Sequence, residues 1–469
     1  MDLANLMERL GDWRRFGGVR SRALAAALEA LILEGDLPAG TRLPPERRFA
    51  DRLGVSRTLV VAAYTALRDA GWIASRQGSG SYVAKGPPGY AAATRRRQSM
   101  RNPMALRPGA GGAVIDLSLA AAMPDPAWLH LSPAARGEIL TEYPYQPQGM
   151  PRLRERIAAH LSRQGVPSEP AQILVTGGAQ QAISLLAARY GGNGRRVLIE
   201  EPTFFGAIDC LRAAGAELAP VPIERSAGGP AAMIAAMSAA GSGKFAMAYI
   251  CPTVQNPTGT TWSAAERRAL VRAAARSDTL LVIDDSLSDL AFHGAPPSPA
   301  HYDLDAPVAT IGSLSKTLWG GLRVGWVRAN AAIVAALTAD RLTQDLGGSS
   351  INAAIACDLL DRYDALLKAR RAALRRQRDA WIAALRRHLP EWRFTVPDGG
   401  MFLWVRLPHG NADDFVPLAR EHGVLLTSGS VLTVRGTAEN RIRISYAQPA
   451  PVWDEAARRL RAAWDAFTR

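Results

Sequence analysis

A lysine in an apolar, glycine-rich segment, residues 311–326, is the residue in this chain best suited to covalent chemistry. Lys316 lies between Ser315 and Thr317, and Arg323 follows seven residues later. A lysine amine attacks a carbonyl carbon only in its neutral form, and an apolar pocket with a neighbouring cation favours loss of the proton. Lys316 is also one of only four lysines, because arginine carries most of the positive charge. The segment predicts a lysine that forms a Schiff base; the alternative is an ordinary surface loop.

The elements around this lysine decide between those two interpretations. From about Ile115 onward, short apolar runs alternate with helical patterns, which is typical of an α/β domain whose ligand lies at the carboxyl ends of the strands. Asp284 ends the run TLLVID, and Asn256 follows KFAMAYICP in an NPTG turn. The run QILVT leads into a Gly-Gly turn that opens a helix, and the free amides of such a helix can hold a phosphate. The order of these groups favours one shared site.

Taken in order, these motifs resemble the cofactor site of the fold-type I aminotransferases, over roughly residues 115–465. The resemblance implies an α/β domain that binds pyridoxal 5'-phosphate (PLP). The implied cofactor residues are Gly178, Ala179, Gln180 and Arg323 at the phosphate, Phe204 stacked on the ring, Asn256 at the ring oxygen, Asp284 at the pyridinium nitrogen, and Ser315 with the Schiff-base lysine Lys316. Arg443 stands where the family binds the carboxylate of an amino-acid ligand.

Two features of this resemblance are unusual. The family generally has a tyrosine just after the pyridinium aspartate, whereas this chain has Ser286, whose hydroxyl is too short to reach the ring oxygen. Asn256 would then be the sole side-chain donor to that oxygen, so we expect a higher Schiff-base pKa and poor transamination with PLP binding retained. The segment YPYQPQGMPRLRERIAAHL resembles the one that reaches the partner subunit's cofactor, and its register leaves both Tyr143 and Tyr145 as candidates.

The N-terminal part of the chain has a different pattern, with three short helices and a hairpin. Apolar residues recur at helical spacing over residues 21–34, and Pro44 and Pro45 precede a second helix over 46–53. Ser56 is placed to cap a third helix. Two β-like runs, WIASR and GSYVA, are joined by a Gly-rich turn. Three helices and a hairpin predict an α+β winged helix-turn-helix.

Residues 20–84 resemble the GntR-type DNA-binding domain. The resemblance implies that the first turn of the third helix meets base edges and phosphates, while the hairpin approaches the minor groove. The implied DNA-contacting residues are Ser56, Arg57 and Thr58 on that turn, Arg42, Arg47 and Arg76 at phosphates, and Gly78 at the tip of the wing. Leu59 stands where the family usually has a small polar residue, and this departure would change which bases the helix reads. A winged helix that contacts protein is the alternative.

The charge of the chain favours a polyanionic partner, since its formal net charge is +14 and its pI is near 10.3. Residues 86–114 contain five arginines and no acidic residue among Pro, Gly and Ala. This composition predicts a flexible linker that either follows a phosphate backbone or contacts nothing. We therefore expect a DNA-binding domain at 1–85, a basic linker at 86–114 and a PLP- and effector-binding domain at 115–469.

Composition also bears on the compartment. The cysteines, Cys210, Cys251 and Cys357, lie far apart and form no metal-binding or redox spacing, so we expect no metal site and a reducing, cytoplasmic location. The charged N-terminal residues do not match a signal peptide, and the Ala-rich stretch 231–240 is too short to cross a bilayer. No membrane role is expected.

A GntR-type winged helix, a linker and an aminotransferase-like domain form the organisation of the MocR/GabR family of bacterial transcriptional regulators, and nearly the whole chain resembles it. The resemblance implies a PLP-dependent, DNA-binding regulator in which an amino compound, or PLP itself, acts at Lys316 and changes how two winged helices read an operator. It also implies a head-to-tail, domain-swapped homodimer. The competing interpretation is an active PLP-dependent aminotransferase with an accessory DNA-binding domain; a third is a repressor without PLP.

Overall fold

The computed structural model describes residues 6–7, 10, 13, 20–34, 37, 40–76, 80–84, 114–118, 130–224, 228–239, 243–302, 307–448 and 452–468. The chain divides into two compact units, Met1–Leu106 and Arg107–Arg469, and each has its own hydrophobic core. The linker predicted at 86–114 lies outside the described residues except for Val114.

The smaller unit has the elements of a winged helix. They are α1 (Arg20–Glu34), α2 (Glu46–Leu53), α3 (Arg57–Asp69) and the antiparallel strands β1 (Ile73–Arg76) and β2 (Gly80–Val83). Ser56 caps α3 as predicted, because its hydroxyl accepts a hydrogen bond from the amide of Leu59 at 3.3 Å. Gly54 turns the chain between α2 and α3 with φ +65°, in the left-handed region. The apolar faces of the helices meet in a core that contains Phe49 and Tyr64.

The larger unit alternates strands and helices. Its strands are β3 (Ile115–Asp116), β4 (Ile173–Thr176), β5 (Arg196–Glu201), β6 (Glu217–Pro222), β7 (Met247–Ile250), β8 (Leu280–Asp284), β9 (Val308–Ser313), β10 (Gly325–Arg328), β11 (Arg393–Phe394), β12 (Phe402–Arg406), β13 (Val424–Leu425), β14 (Thr427–Ser428) and β15 (Arg441–Ser445). Its helices are α4 (Pro133–Thr141), α5 (Pro151–Arg163), α6 (Ala179–Leu186), α7 (Phe205–Ala213), α8 (Gly229–Ser238), α9 (Ala264–Ser277), α10 (Ala331–Arg341), α11 (Ser350–Leu360), α12 (Tyr363–His388), α13 (Ala412–Glu421) and α14 (Val452–Phe467).

A seven-stranded sheet, ordered β4-β10-β9-β8-β7-β5-β6, organises this unit. Its neighbours pair in parallel except at β10, which runs antiparallel to both β9 and β4. The central strands β7, β8 and β9 are buried along their whole length, as expected for apolar runs covered by helices on both faces. Because these strands are parallel, their carboxyl ends meet at one edge of the sheet. Asp284 and the loops that follow β7 and β9 therefore lie close together.

A second, antiparallel sheet, ordered β11-β12-β15-β14, carries the C-terminal part of the site. Arg443 on β15 pairs in register with Trp404 of β12 and Thr427 of β14. Within the described residues, no helix combines the length and apolar character needed to cross a bilayer. The same residues contain no group of three His, Cys, Asp or Glu side chains that could hold a metal ion.

Candidate functional site

Lys316 lies in the turn that follows β9, at the carboxyl edge of the seven-stranded sheet. Its pKa is lowered to about 8, mainly because burial desolvates the ammonium group; the positive charges of Arg443 and Arg323 add to this effect, and Asp284 opposes it. The fold therefore brings four side chains from distant parts of the sequence into one neighbourhood. An amine with this pKa is neutral in an appreciable fraction of molecules near neutral pH, as Schiff-base formation requires.

Asp284 ends β8 and is 7% exposed. Tyr249, on the adjacent strand β7, donates a hydrogen bond from its hydroxyl to Asp284 Oδ2, and the amide of Ser286 donates to Oδ1 at 3.0 Å. Burial raises the pKa of Tyr249 well above its usual value, so this hydroxyl stays protonated. The two bonds fix the orientation of the carboxylate that would face the pyridinium nitrogen. Sequence reasoning missed Tyr249, although a single tyrosine in the buried strand MAYI was a usable signal.

We expect Tyr249→Phe to weaken PLP binding by roughly 10- to 150-fold, because losing a buried hydrogen bond to a charged group costs about 1.5–3 kcal/mol. Titration of the apoprotein with PLP, followed by absorbance, measures this change. Tyr446→Phe is the matched control, since the Tyr446 hydroxyl is equally buried but donates to the carbonyl of Gly399 at 2.7 Å. Unchanged PLP affinity in Tyr249→Phe would show that the bond does not support the cofactor.

The turn between β4 and α6 lies against Arg323. Gly178 has φ +105°, a conformation that side chains rarely adopt, and a Cβ atom there would lie 3.1 Å from Arg323 Nη2. Arg323 donates from Nη2 to the carbonyl of Gly177. The free amides at the start of α6, where Ala179 is the first residue, suit an anion beside this guanidinium. The Gln180 side chain donates instead to a carbonyl of α7 at 3.2 Å. Its backbone amide lies in the first turn of α6, where amides have no partner within the helix and can bind a phosphate.

Arg443 is a deeply buried cation, with 2% exposure. Its guanidinium donates to Asn256 Oδ1 at 3.0 Å and to the carbonyl of Ser118 at 2.8 Å, and it lies 4.3 Å from the centre of the Phe402 ring. Burial lowers its pKa to about 9. Among the described residues no carboxylate forms a salt bridge with it, and its Nε has no acceptor. A buried guanidinium without a counterion is costly, so Arg443 suits an anionic ligand.

Phe204 and Ser315 are the remaining predicted cofactor residues. Phe204 precedes α7, with its ring centre 4.9 Å from that of Phe205. The hydroxyls of Ser315 and Ser286 are buried and have no hydrogen-bond partner among the described residues. The unpaired Ser315 hydroxyl, the cradle at Gly178 and the desolvated Lys316 amine are suited to the polar groups of PLP. When bound, the cofactor supplies an electrophilic carbonyl and an electron sink.

The predicted DNA-reading turn is exposed on the smaller unit. Ser56, Arg57 and Thr58 are all solvent-exposed, and Arg57 lies 3.9 Å from the carboxylate of Glu46. An ion pair this exposed contributes little, so the guanidinium can exchange it for a phosphate or a base. The first turn of α3 therefore presents the polar surface that the sequence predicts.

The structure describes some of the other predicted DNA-contacting residues. Arg42 and Arg47 are exposed, and Arg42 forms a β-bridge with Tyr82 of the hairpin. Gly78 lies outside the described residues, as does the side chain of Arg76. Leu59, which departs from the family pattern, is partly buried and packs against the core of the unit.

Comparison with protein-family models matches both parts of the chain. Residues 115–460 match the aminotransferase class I and II family, and residues 20–83 match the bacterial regulatory proteins of the gntR family. The solved structure of LysN, an α-aminoadipate aminotransferase from Thermus thermophilus complexed with N-(5'-phosphopyridoxyl)-L-leucine, is similar with a TM-score of 0.68 at 28% identity. The similarity covers 76% of this chain and 93% of that one.

Relatives of similar length contain both parts. The probable rhizopine catabolism regulatory protein MocR of Rhizobium meliloti is 31% identical over 447 residues, which cover 85% of this chain and 86% of that protein. The HTH-type transcriptional regulator TauR of Rhodobacter capsulatus is 29% identical over 92% of this chain and 94% of its own. These relatives support the regulator over the aminotransferase with an accessory domain. The chain therefore belongs to the MocR-type transcriptional regulators, in which a GntR-type DNA-binding domain is joined to an aminotransferase-like domain whose cofactor is PLP.

Proposed function

We propose that this regulator senses a small amino compound that carries a carboxylate, and that the compound acts at Lys316 while its carboxylate binds Arg443. The observation that carries the proposal is the buried guanidinium of Arg443, which has no acidic partner among the described residues yet influences the pKa of Lys316. An anion at this position would offset the cost of burying the charge. PLP itself is the alternative effector, since it binds the same lysine.

A gel-shift titration tests the proposal directly. The PLP-loaded protein is mixed with the DNA upstream of its own gene, and amino acids and ω-amino acids are added singly. We expect at least one of them to change the affinity for this DNA, because regulation requires different affinities of the effector for two arrangements of the protein. The same samples are assayed for amino-group transfer to a keto acid. Sustained turnover without any effect on DNA binding would favour the enzyme interpretation.

We further propose that the α3 turn reads operator DNA through Ser56, Arg57 and Thr58, with Arg42, Arg47 and Arg76 at phosphates and Gly78 at the wing tip. The exposure of the α3 turn and of Arg42 and Arg47, together with the net charge of +14, supports this assignment. The domain boundaries proposed from sequence are 1–85, 86–114 and 115–469. A regulator that reads an operator would work in the bacterial cytoplasm.

We expect Arg57→Ala to weaken operator binding by roughly 5- to 150-fold, the effect of losing about 1–3 kcal/mol from a base or phosphate contact. Fluorescence anisotropy with labelled operator DNA at several salt concentrations measures it. Arg68→Ala is the control on the same helix: Arg68 is exposed in the last turn of α3 and donates to Ser75 Oγ at 3.1 Å. Equal losses in both variants would mean that DNA senses only the overall charge of the helix.

The proposed homodimer is supported by a patch of exposed apolar residues on the larger unit. The patch lies on two segments, residues 140–145 and 342–351. These segments are neighbours, because the chain at Gln146 lies against Gly347 and α4 packs against α11. Exposed apolar residues on neighbouring segments favour association. The patch consists of Leu140, Tyr143, Tyr145, Leu342, Leu346 and Ile351, with exposures of 46 to 80%.

Either Tyr143 or Tyr145 would reach the partner subunit's cofactor in a head-to-tail, domain-swapped arrangement. Light scattering on the wild type, Tyr143→Ser and Tyr145→Ser tests the dimer, and the absorbance of bound PLP in the two variants decides between the tyrosines. We propose that only one of the two substitutions alters the absorbance of bound PLP, because only one hydroxyl reaches the partner's site.

A further inference from the structure

The larger unit contains a cavity of about 240 Å³ that does not belong to the cofactor site. It lies beside β9 and β10, between α5, α9 and the N-terminal half of α12. Neither Lys316, Arg323 nor Arg443 lines it. A cavity needs a volume of only roughly 10–15 Å³ to hold one ordered water, so this cavity has room for a small organic molecule.

One face of the sheet provides the floor of this cavity. Thr310 and Gly312 of β9 pair in register with Arg328 and Trp326 of β10, and all four line it. Side chains alternate along a strand, so Ile311 between them points to the opposite face. Asp285, just past the end of β8, lines the cavity beside them.

Several buried polar atoms of this lining have no partner among the described residues. Thr310 is 3% exposed and Trp326 is 4% exposed, yet Thr310 Oγ1 and Trp326 Nε1 make no hydrogen bond. Asp285 accepts a hydrogen bond from Ser298 at 2.6 Å through Oδ2, while its Oδ1 has no donor. Each unsatisfied buried group costs roughly 1–3 kcal/mol, and the residues that carry these groups all line one cavity, so its lining suits a polar ligand.

Two arginines of the lining have unused donors. Arg371 donates from Nε to the carbonyl of Asp289 at 2.6 Å, and its terminal nitrogens have no acceptor among the described residues. Arg328, 8% exposed, donates from Nε and Nη2 to Ser168 and Pro167, which leaves Nη1. The cavity therefore combines an unpaired carboxylate oxygen with unpaired guanidinium donors. Burial also raises the pKa of Asp285 to about 6; the hydrogen bond from Ser298 and the positive charge of Arg267, which also lines the cavity, oppose this shift only in part.

We infer that this cavity is a second ligand site, which binds a small zwitterion with its ammonium at Asp285, its carboxylate at Arg371 and Arg328, and its apolar body against Trp326. An ammonium satisfies the free Oδ1 of Asp285, and a carboxylate accepts from the unused guanidinium nitrogens. The inference goes beyond the proposed effector site and does not depend on it, because the two share no residue.

Three connections join this cavity to the cofactor site. Asp285 follows Asp284 in the chain. Ser313, which lines the cavity, accepts a hydrogen bond on Oγ from the amide of Ser315 at 3.2 Å. On α12, Arg370 precedes Arg371 and donates to the carbonyls of Thr317 and Leu318, at 3.2 and 3.0 Å. We therefore expect an occupant that shifts Asp285 or Arg371 to act on the segment that carries Lys316.

Calorimetric titration of the full-length, PLP-saturated Arg443→Gln protein tests the inference, because this variant removes the proposed effector contact and leaves the cavity intact. The probes are 4-aminobutanoate and 5-aminopentanoate, with butylamine and butanoate as singly charged controls. We expect at least one zwitterion to bind at one site per chain. The singly charged probes should bind at least about tenfold more weakly, since each loses one charge-assisted contact.

Further substitutions locate the bound probe. Adding Asp285→Asn or the nearly isosteric Thr310→Val should weaken binding at least about tenfold while thermal melting stays cooperative, whereas the exposed carboxylate control Asp361→Asn should change nothing. Binding should also shift the absorbance of bound PLP. The inference is overturned if no zwitterion binds Arg443→Gln, or if binding ignores both cavity substitutions. A probe that loses its site in Arg443→Gln but keeps it in Asp285→Asn supports the effector site alone.

Discussion

Replacing Lys316 with alanine should abolish the absorbance of lysine-bound PLP and the response of DNA binding to the effector, while basal DNA binding should be retained. Lys316 is one of only four lysines in the chain, and its pKa is lowered to about 8. Among the described cofactor residues it is the one amine that can form a Schiff base. The winged helix forms a separate unit with its own core, so the substitution should leave the DNA-reading surface unchanged. Absorbance spectra and gel shifts with and without effector measure the two outcomes.

Lys244→Ala is the matched control for this experiment. Lys244 is exposed and lies 5.8 Å from the centre of the Phe245 ring, away from the cofactor residues. We expect this variant to keep both the absorbance and the effector response. If Lys316→Ala still responded to the effector as the wild type does, covalent sensing at this lysine would be refuted, although PLP binding by the other residues could continue.

We expect the replacement of Arg443 with glutamine to weaken effector binding by about 30-fold to several thousand-fold, because removing one partner of a buried charge pair costs about 2–5 kcal/mol. In this variant the effector carboxylate would lie near Asn256 and Ser118 without the guanidinium that pairs with it in the wild type. Titration calorimetry or the effector concentration that half-saturates the gel shift measures this loss. Arg441→Gln is the control on the same strand, because Arg441 already pairs with Glu224 at 3.1 Å.

The stability of Arg443→Gln provides an independent check. The pKa of Arg443 is lowered to about 9 in the folded protein, so the folded state holds this proton less tightly than the unfolded chain does. The charge therefore opposes folding at neutral pH, and this opposition is relieved as the pH rises above about 9. We expect the ligand-free variant to melt within a few degrees of the wild type, whereas the stabilisation by effector disappears. A large loss of Tm without effector would mean that Arg443 is mainly structural.

Much of this protein was predictable from its sequence because the deciding patterns are local. The phosphate turn at Gly178, the NPTG turn at Asn256, Asp284 at the end of a strand and Lys316 after the next strand each occupy a few consecutive residues. The winged helix was equally local: Ser56 caps α3, and β1 pairs with β2. Short motifs of this kind fix backbone conformation through neighbouring residues, so their positions follow without knowledge of the tertiary fold.

Only the tertiary structure decided which groups are paired and which are left without partners. The bond from Tyr249 to Asp284 joins residues 35 positions apart, and that from Arg443 to Asn256 joins residues 187 apart. The unpaired atoms of Thr310, Trp326 and Asp285 share a cavity because β8, β9 and β10 lie side by side. Burial and electrostatic partners depend on this packing, which brings distant residues together, whereas the sequence determined the chemical groups and the local turns that present them.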